Sequence, residues 1–247
     1  MKRLLYILIL ISQISLAQTA FETGNQFYQK ENYQAAINSY ESILNSGKHS
    51  AEVYFNLGNC YYKLNKVAPA IYNFEKALLL NPNDKDIQTN LDFARKTTID
   101  DIKVVPKVGF QKLIQDVTSK YHYDTWAWIT VTLAFVFLFF FVGYYFSQTT
   151  LLKRVFFIGM FLFLLAIVVS VSSAIYEKNH YENEKPAIVF AEITTVKSEP
   201  KNSSSDAFVL HEGAKVYVLE SIANWKKIEL TDETTGWIQA DAIKELK

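Results

Sequence analysis

Histidine and cysteine are the residue types that most often ligate metals or act as nucleophiles, and this chain has few of them. The four histidines are His49, His122, His180 and His211. None lies in an H-x-x-x-H or H-E-x-x-H pair, and the single cysteine, Cys60, excludes an intramolecular disulfide and argues against a Cys-ligated metal. Phosphate-binding glycine loops and a G-x-S-x-G turn are also missing. We therefore predict no catalytic, cofactor-binding or metal-binding residues. An enzyme would require folding to bring distant acids and a histidine into one cleft.

Charge is balanced overall but unevenly distributed along the chain. There are 25 Lys+Arg and 25 Asp+Glu among 247 residues. No dense basic patch is present, which argues against nucleic acid as a partner. Half of the residues in the chain are hydrophobic, and residues 125–152 and 155–176 carry no charge. The sequence is therefore not that of one uniform soluble domain.

A spacing of 34 residues between similar side chains recurs in the N-terminal part of the chain. It separates Gly24 from Gly58, Phe27 from Tyr61, Ala36 from Ala70, and Tyr40 from Phe74. The spacing is typical of tetratricopeptide repeats, which have a period of about 34 residues and consist of two antiparallel helices each. Residues 51–84 resemble that family, with its signature positions filled by Tyr54, Leu57, Gly58, Tyr61, Ala70, Phe74, Ala77 and Pro82. We expect units at about 18–50 and 51–84, and a capping helix at 84–97.

The resemblance implies a concave groove lined by the first helix of each unit. The family's groove positions fall on Phe21, Asn25, Tyr28, Phe55, Asn59, Tyr62 and Lys63, together with Gln29 and Glu52. An asparagine near a lysine can hold a peptide carboxylate, so these residues are candidates for protein binding. The alternative is that they only pack within the array. Cys60 occupies a position that usually holds alanine, and a buried thiol is favoured over a redox sensor.

Stacked repeats normally number about three, so two units and a cap need further support. The array is expected to be stabilised by contacts within the module itself, with a membrane or with a partner.

Two uncharged segments, 126–146 and 155–175, are each long enough to cross a bilayer core of about 30 Å. Neither contains an ionisable residue, which argues against a transporter. Lys153 and Arg154 in the intervening loop, 147–154, favour a cytoplasmic loop.

Segment 98–125 is predicted to be a linker followed by an amphipathic helix. The linker acids Asp100 and Asp101 are expected to be solvated. The helix has its apolar positions at Phe110, Leu113, Ile114 and Val117, and Trp126 and Trp128 follow. It is expected to lie on the membrane surface, with docking under the repeats as the alternative.

Residues 1–17 have the pattern of a secretory signal peptide. Lys2 and Arg3 precede an apolar run, and Ser15 and Ala17 fit cleavage before Gln18. An uncleaved anchor helix is the alternative. Signal and loop charge together predict an inner-membrane hairpin with both flanks in the periplasm.

After a linker expected at 176–185, residues 186–247 are predicted to form short strands. The β-prone runs are 187–196, 208–210, 215–219, 225–230 and 235–238. The pattern Leu210-x-x-Gly213-x-x-Val216, then Trp225-x-Lys227-Ile228 and Gly236-Trp237-Ile238, resembles bacterial SH3-like domains. That resemblance implies a small β-barrel that binds cell-wall peptides or protein segments. Trp225 and Trp237 are interpreted as packing residues in preference to ligand platforms.

The order of these segments resembles BatE-type proteins of bacterial aerotolerance (Bat) operons. The residues that carry the resemblance are 51–84, 124–128 and 207–246. It implies a multidomain membrane protein: an all-α repeat domain, a two-helix transmembrane hairpin and an all-β SH3-like domain. It also implies a non-enzymatic scaffold whose partners are membrane proteins with von Willebrand factor A domains. A tether that binds peptidoglycan through the SH3-like domain is the alternative.

Overall fold

The structure, a computed structural model, describes residues 19–102 and 109–247, and the predicted signal peptide lies outside these ranges. The chain divides into two compact units. One unit joins the N-terminal helices to the C-terminal strands, Met1–Val105 with Lys185–Lys247, and the other is Pro106–Glu184.

Five α-helices lie within residues 19–102. They are α1 (19–29), α2 (Tyr33–Asn45), α3 (Ala51–Lys63), α4 (Val67–Leu80) and α5 (Lys85–Arg95). Polar N-cap side chains begin three of them: Asn32 accepts from the Ala35 backbone N–H, Ser50 from Val53, and Asp84 from Asp86 and Ile87. Pro82 lies just beyond α4, where a residue that cannot continue the helix is expected.

The two helical pairs cross closely at glycines that occupy the same position in each repeat. A Cβ on Gly24 would lie 2.5 Å from the Tyr40 ring, and a Cβ on Gly58 would lie 2.6 Å from the Phe74 ring. Both distances are too short for any other residue without repacking. The small residues at the crossing therefore allow the close approach, and the same packing recurs in both units.

Seven strands lie within residues 185–247 and pair in one antiparallel sheet. They are β1 (Pro186–Val189), β2 (Ile193–Lys197), β3 (Asp206–His211), β4 (Lys215–Ile222), β5 (Trp225–Glu229), β6 (Thr235–Gln239) and β7 (Ile243–Glu245). The sheet order is β3-β2-β6-β5-β4-β1-β7. Closure of this sheet into an SH3-like barrel stays a prediction.

Two features of the sheet differ from the predicted strands. The run 187–196 is two strands, because the backbone N–H groups of Phe190 and Ala191 leave the ladder and donate to the Ala242 carbonyl, at 2.8 and 3.2 Å. Strand β7 was not predicted, since a strand this short gives too little alternation to be recognised.

The sheet and the helices share a hydrophobic core. Ile188 of β1 and Leu246 after β7 are buried in the same cluster as Ile71 of α4 and Leu91 of α5. The support that two repeats and a cap require therefore comes from the C-terminal segment of the same chain.

The second unit holds α6 (Phe110–Thr118), α7 (Tyr123–Phe146) and α8 (Thr150–Asn183). Helix α8 corrects two predicted boundaries. It begins at Thr150, so the loop expected at 147–154 is only residues 147–149, and Lys153 and Arg154 are helical. It also continues through most of the linker expected at 176–185. That stretch has no Gly or Pro before Pro186, and it carries i,i+4 ion pairs from Lys178 to Glu182 and from His180 to Glu184.

Helices α7 and α8 form an antiparallel hairpin. The Phe156 and Phe140 rings pack against Gly143 and Gly159 of the opposite helix, and Thr130 Oγ1 donates to Ser170 Oγ at 2.9 Å. Among the described residues, these two helices are long and apolar enough to cross a membrane. Their most apolar segments are 0% and 11% buried, whereas the core helix of a soluble protein is mostly buried.

Helix α6 packs beside this hairpin. Trp126 Nε1 donates to the Thr118 carbonyl at 2.8 Å, and Thr118 is buried. Leu113 and Val117, on the predicted apolar face of α6, stay exposed. Contact of that face with the membrane surface remains a prediction.

Candidate protein-binding surface

The predicted groove residues lie on α1 and α3, and the structure brings some of them together. Phe21 and Phe55 line one open pocket with Glu52. The Phe21 ring packs on Tyr40, with ring centroids 5.8 Å apart, and the Phe55 ring packs on Phe74 at 5.9 Å. Buried aromatic neighbours therefore fix both rings in place.

Asn25 and Tyr28 serve the packing of the first unit. The Asn25 Oδ1 atom accepts from the Tyr40 hydroxyl at 2.7 Å and from Asn56 Nδ2 at 3.1 Å. Tyr28 packs edge-on against Tyr33, and burial raises the pKa of its hydroxyl. The packing interpretation therefore accounts for the oxygen of Asn25 and the ring of Tyr28.

Asn59, Tyr62 and Lys63 follow one another toward the end of α3. Asn59 is half-buried, whereas Tyr62 is 37% exposed and Lys63 is exposed. Lys63 also lies in the last turn of α3, where a cation is favourable. Tyr62 is thus the predicted groove aromatic that a partner could reach most directly.

Helix α5, predicted as a capping helix, also contributes residues to the groove, which the sequence analysis missed. Phe93 is 48% exposed, and Lys96 Nζ lies 5.2 Å from the centroid of its ring. Asp86 lines the pocket that holds Phe21 and Phe55. The signal was present in the sequence, because Asp86, Phe93 and Lys96 lie one repeat length after Glu52, Asn59 and Tyr62.

The family model of the tetratricopeptide repeat matches residues 51–84. This segment is a tetratricopeptide repeat, as predicted. No curated protein matches the chain. Tetratricopeptide repeats are typically non-catalytic scaffolds that mediate protein–protein interaction, so the coarse function of the helical part follows from the match.

Cys60 lies in the interior of the repeat helices. The residue is fully buried, and burial raises the pKa of its thiol to about 12. The thiolate, which is the reactive form, is therefore suppressed at neutral pH. The prediction that Cys60 is a buried thiol is confirmed.

An ion triad around the buried carboxylate of Glu75 joins α4 and α5 to the sheet. The Glu75 carboxylate accepts from Arg95 Nη2 at 2.7 Å and from Lys215 Nζ at 2.8 Å, and its side chain is 6% exposed. Burial by itself would raise the pKa of Glu75, but the two cations outweigh burial and hold this pKa below its ordinary value. Burial would lower the pKa of Lys215, yet the Glu75 carboxylate raises it. Both charges are therefore stabilised by each other.

A second polar contact corrects the prediction that Asp100 is solvated in a linker. The Asp100 carboxylate accepts from the His211 backbone N–H at 2.7 Å and contacts His211 Nδ1 at 2.8 Å. Folding thus brings an acid and a distant histidine together, and the contact joins the end of the helical segment to β3. Nearby, Gly213 has φ +88°, and a Cβ there would lie about 3 Å from Ile71 and Val67 of α4. Glycine is required both by the turn and by the approach of the helix.

The two tryptophans of the sheet have different surroundings. Trp237 is buried, in agreement with a packing role. Trp225 is half-buried and lines a polar pocket of about 400 Å³ with Asn224, Gln239 and Asp241.

Proposed function

We propose that this protein is a non-enzymatic, membrane-anchored adaptor that docks a protein partner on its repeat groove. The observation that carries the proposal is the open surface of α1, α3 and α5. Tyr62 and Phe93 leave large parts of their rings exposed there, although each belongs to a helix whose other side is fully buried. Exposed aromatic side chains on a rigid repeat scaffold are suited to binding a partner segment.

Two features support a membrane anchor with both soluble parts on one side. The exposed apolar surfaces of α7 and α8 require a nonpolar environment, which a bilayer supplies. The parts of the chain before and after the hairpin also share one hydrophobic core. Segments that fold together cannot be separated by a membrane, which supports α7 and α8 crossing it as a pair.

The orientation and the partner are proposed on sequence grounds. Lys153 and Arg154 near the tip of the hairpin favour a cytoplasmic turn, and a periplasmic location of the repeats and the sheet is proposed on that ground. The resemblance to BatE-type proteins points to a Bat-type complex in the inner membrane, with von Willebrand factor A domain proteins as partners.

Site-specific crosslinking in native membranes tests the groove. We would place a photoreactive amino acid at Tyr62 and, as a control, at Asn38, which is exposed on α2 away from the groove residues. We expect a von Willebrand-type membrane protein to be crosslinked from Tyr62 and not from Asn38. Failure to crosslink any protein at Tyr62 would contradict the adaptor function.

A second candidate function, tethering to peptidoglycan, is favoured by the polar pocket beside Trp225. Its amide side chains and indole are the groups that bind sugars and short peptides. The test is co-sedimentation of the full chain with purified sacculi, because residues 186–247 alone would expose Ile188 and Leu246. We expect retention that Trp225→Ala abolishes and Glu233→Ala, at an exposed turn, does not. No retention of the unmodified protein would remove this candidate.

A further inference from the structure

One pocket of the groove combines aromatic rings with carboxylates. It contains Phe21, Glu52, Phe55 and Asp86 and is here called the groove pocket. It is open and has a volume of about 220 Å³. Residues of α1, the first two turns of α3, the α4–α5 connection and the first turn of α5 line it together. Such a volume fits one long side chain of a partner and does not fit a folded element.

Two aromatic rings form the apolar part of the groove pocket. Phe21 and Phe55 are half-buried, and each is held by a ring behind it, Tyr40 or Phe74. The face of an aromatic ring carries negative potential, which attracts a cation or a guanidinium plane. Rings already fixed in position lose little conformational entropy when they bind.

Carboxylates supply the polar part. Asp84 is engaged, because its Oδ1 atom accepts from the Asp86 and Ile87 backbone N–H groups and its Oδ2 atom accepts from Asn81. Glu52 and Asp86 are exposed, and neither has an ion-pair or side-chain hydrogen-bond partner within the described residues. The pocket thus combines apolar walls with two carboxylates that form no ion pair within the described residues.

We propose that the groove pocket receives an arginine or lysine side chain of the docked protein partner. This inference rests on the proposed adaptor function and names the chemistry that the groove selects. A cationic side chain complements Glu52 and Asp86 at its charged end, and its methylene stem covers Phe21 and Phe55. A peptide carboxylate, the ligand first considered from an asparagine near a lysine, would be repelled here by Glu52 and Asp86.

Selection from random peptides tests the inference whatever the identity of the partner. The full chain in lipid nanodiscs is panned against phage-displayed random dodecapeptides at low salt. We expect enriched peptides to share one arginine or lysine flanked by apolar residues. Enriched peptides that share no basic residue would overturn the inference and leave the adaptor function standing, whereas a failure to enrich any peptide would count against both.

A double-mutant cycle locates the cation. The selected synthetic peptide and its analogue with citrulline (or acetyl-lysine) at the shared position are compared by fluorescence anisotropy. The Glu52→Gln/Asp86→Asn double variant is expected to weaken binding of the cationic peptide by up to about tenfold, the combined size of two exposed charge contacts, because both rings stay in place. The neutral analogue should show no further loss on the double variant.

Glu31→Gln is the matched control, since Glu31 is an exposed carboxylate on the turn between α1 and α2. It should leave affinity unchanged. Equal loss with Glu31→Gln, or equal loss of the charged and neutral peptides on the double variant, would contradict a cation held in the groove pocket.

Discussion

The junction between the helices and the sheet can be compared with the groove pocket, because both bring carboxylates close to aromatic or apolar side chains. At the junction, Glu75 is buried and meets two cations from its own chain. In the groove pocket, Glu52 and Asp86 face solvent without such cations. A carboxylate that pairs with cations of its own chain, as Glu75 does, stabilises the contact between the helices and the sheet. Unpaired carboxylates beside half-buried rings, as in the groove pocket, suit a surface that a partner can bind.

The largest effect is expected from Glu75→Gln in the junction. The substitution removes the counter-charge of the largely buried Lys215 and one of the two carboxylates paired with Arg95. The loss should lie toward the lower end of the about 3–5 kcal/mol that breaking a buried pair costs, because Arg95 is partly exposed and keeps Asp92. Denaturant unfolding of the detergent-solubilised chain, followed by tryptophan fluorescence, measures the loss. Asp92→Asn is the control, because Asp92 is the exposed partner of the same Arg95 and its loss should cost under about 1 kcal/mol. Equal losses would show that the Glu75 carboxylate is not buried in solution.

Acidification should reproduce part of that loss. The pKa of Glu75 is lowered in the folded protein, so its contribution is complete above its unfolded value of 4.5 and is lost as pH falls through the lower folded value. The pKa of Lys215 is raised, so its contribution is lost only as pH rises beyond 10.5. Between these limits the triad should be insensitive to pH.

Stability measured from pH 6 down to pH 3 in the unmodified protein and in Glu75→Gln tests this expectation. The variant should show a shallower fall at acid pH. Parallel curves would mean that other carboxylates, and not Glu75, govern acid unfolding.

A smaller loss is expected from Gly58→Ala within the repeat. The added methyl would lie 2.6 Å from the Phe74 ring, and overpacking of this kind typically costs about 1–3 kcal/mol. Phe74→Leu removes the ring atoms that cause the clash. The double variant should therefore be more stable than the sum of the two single losses predicts, and simple additivity would contradict the close helix crossing.

The smallest effect on stability is expected from Glu52→Gln in the groove pocket. Glu52 lies in the first turn of α3, where its charge contributes about 0.3–1 kcal/mol through the helix dipole and no ion pair is lost. Thermal melting should therefore barely change, although binding of a basic peptide should fall. A loss of stability as large as that of Glu75→Gln would show that the two surfaces do not differ in the way described.

Much of the helical part could be predicted from the sequence because its signals are local. Helix packing recurs once per repeat, small residues mark each crossing, and Ser50 lies before its helix as an N-cap. The same arithmetic would have located Asp86 and Phe93 if it had been extended to α5. The ends of α8 were less predictable, since neither charge nor the absence of an apolar run stops a helix.

For the groove residues, the sequence predicted their positions but not the contacts of their side chains. Their positions follow from the repeat, and Phe21 and Phe55 do share a pocket. Whether each side chain packs within the array or stays accessible to a partner depends on its neighbours in the folded structure. Asn25, which has the same residue type as Asn59, is used by Tyr40 and Asn56, and no repeat pattern indicates that.

The sequence by itself determined the repeat helices, the two long apolar helices and a strand-rich C-terminal segment. These depend on the spacing of apolar and small residues over a few helical turns or strand positions. Only the tertiary structure decided that the sheet completes the core of the helices. That decision depends on contacts between residues far apart in the chain, such as Glu75 with Lys215 and Asp100 with His211. Each side of such a contact is an ordinary polar residue in the sequence, and only the folded backbone brings the two within hydrogen-bond distance.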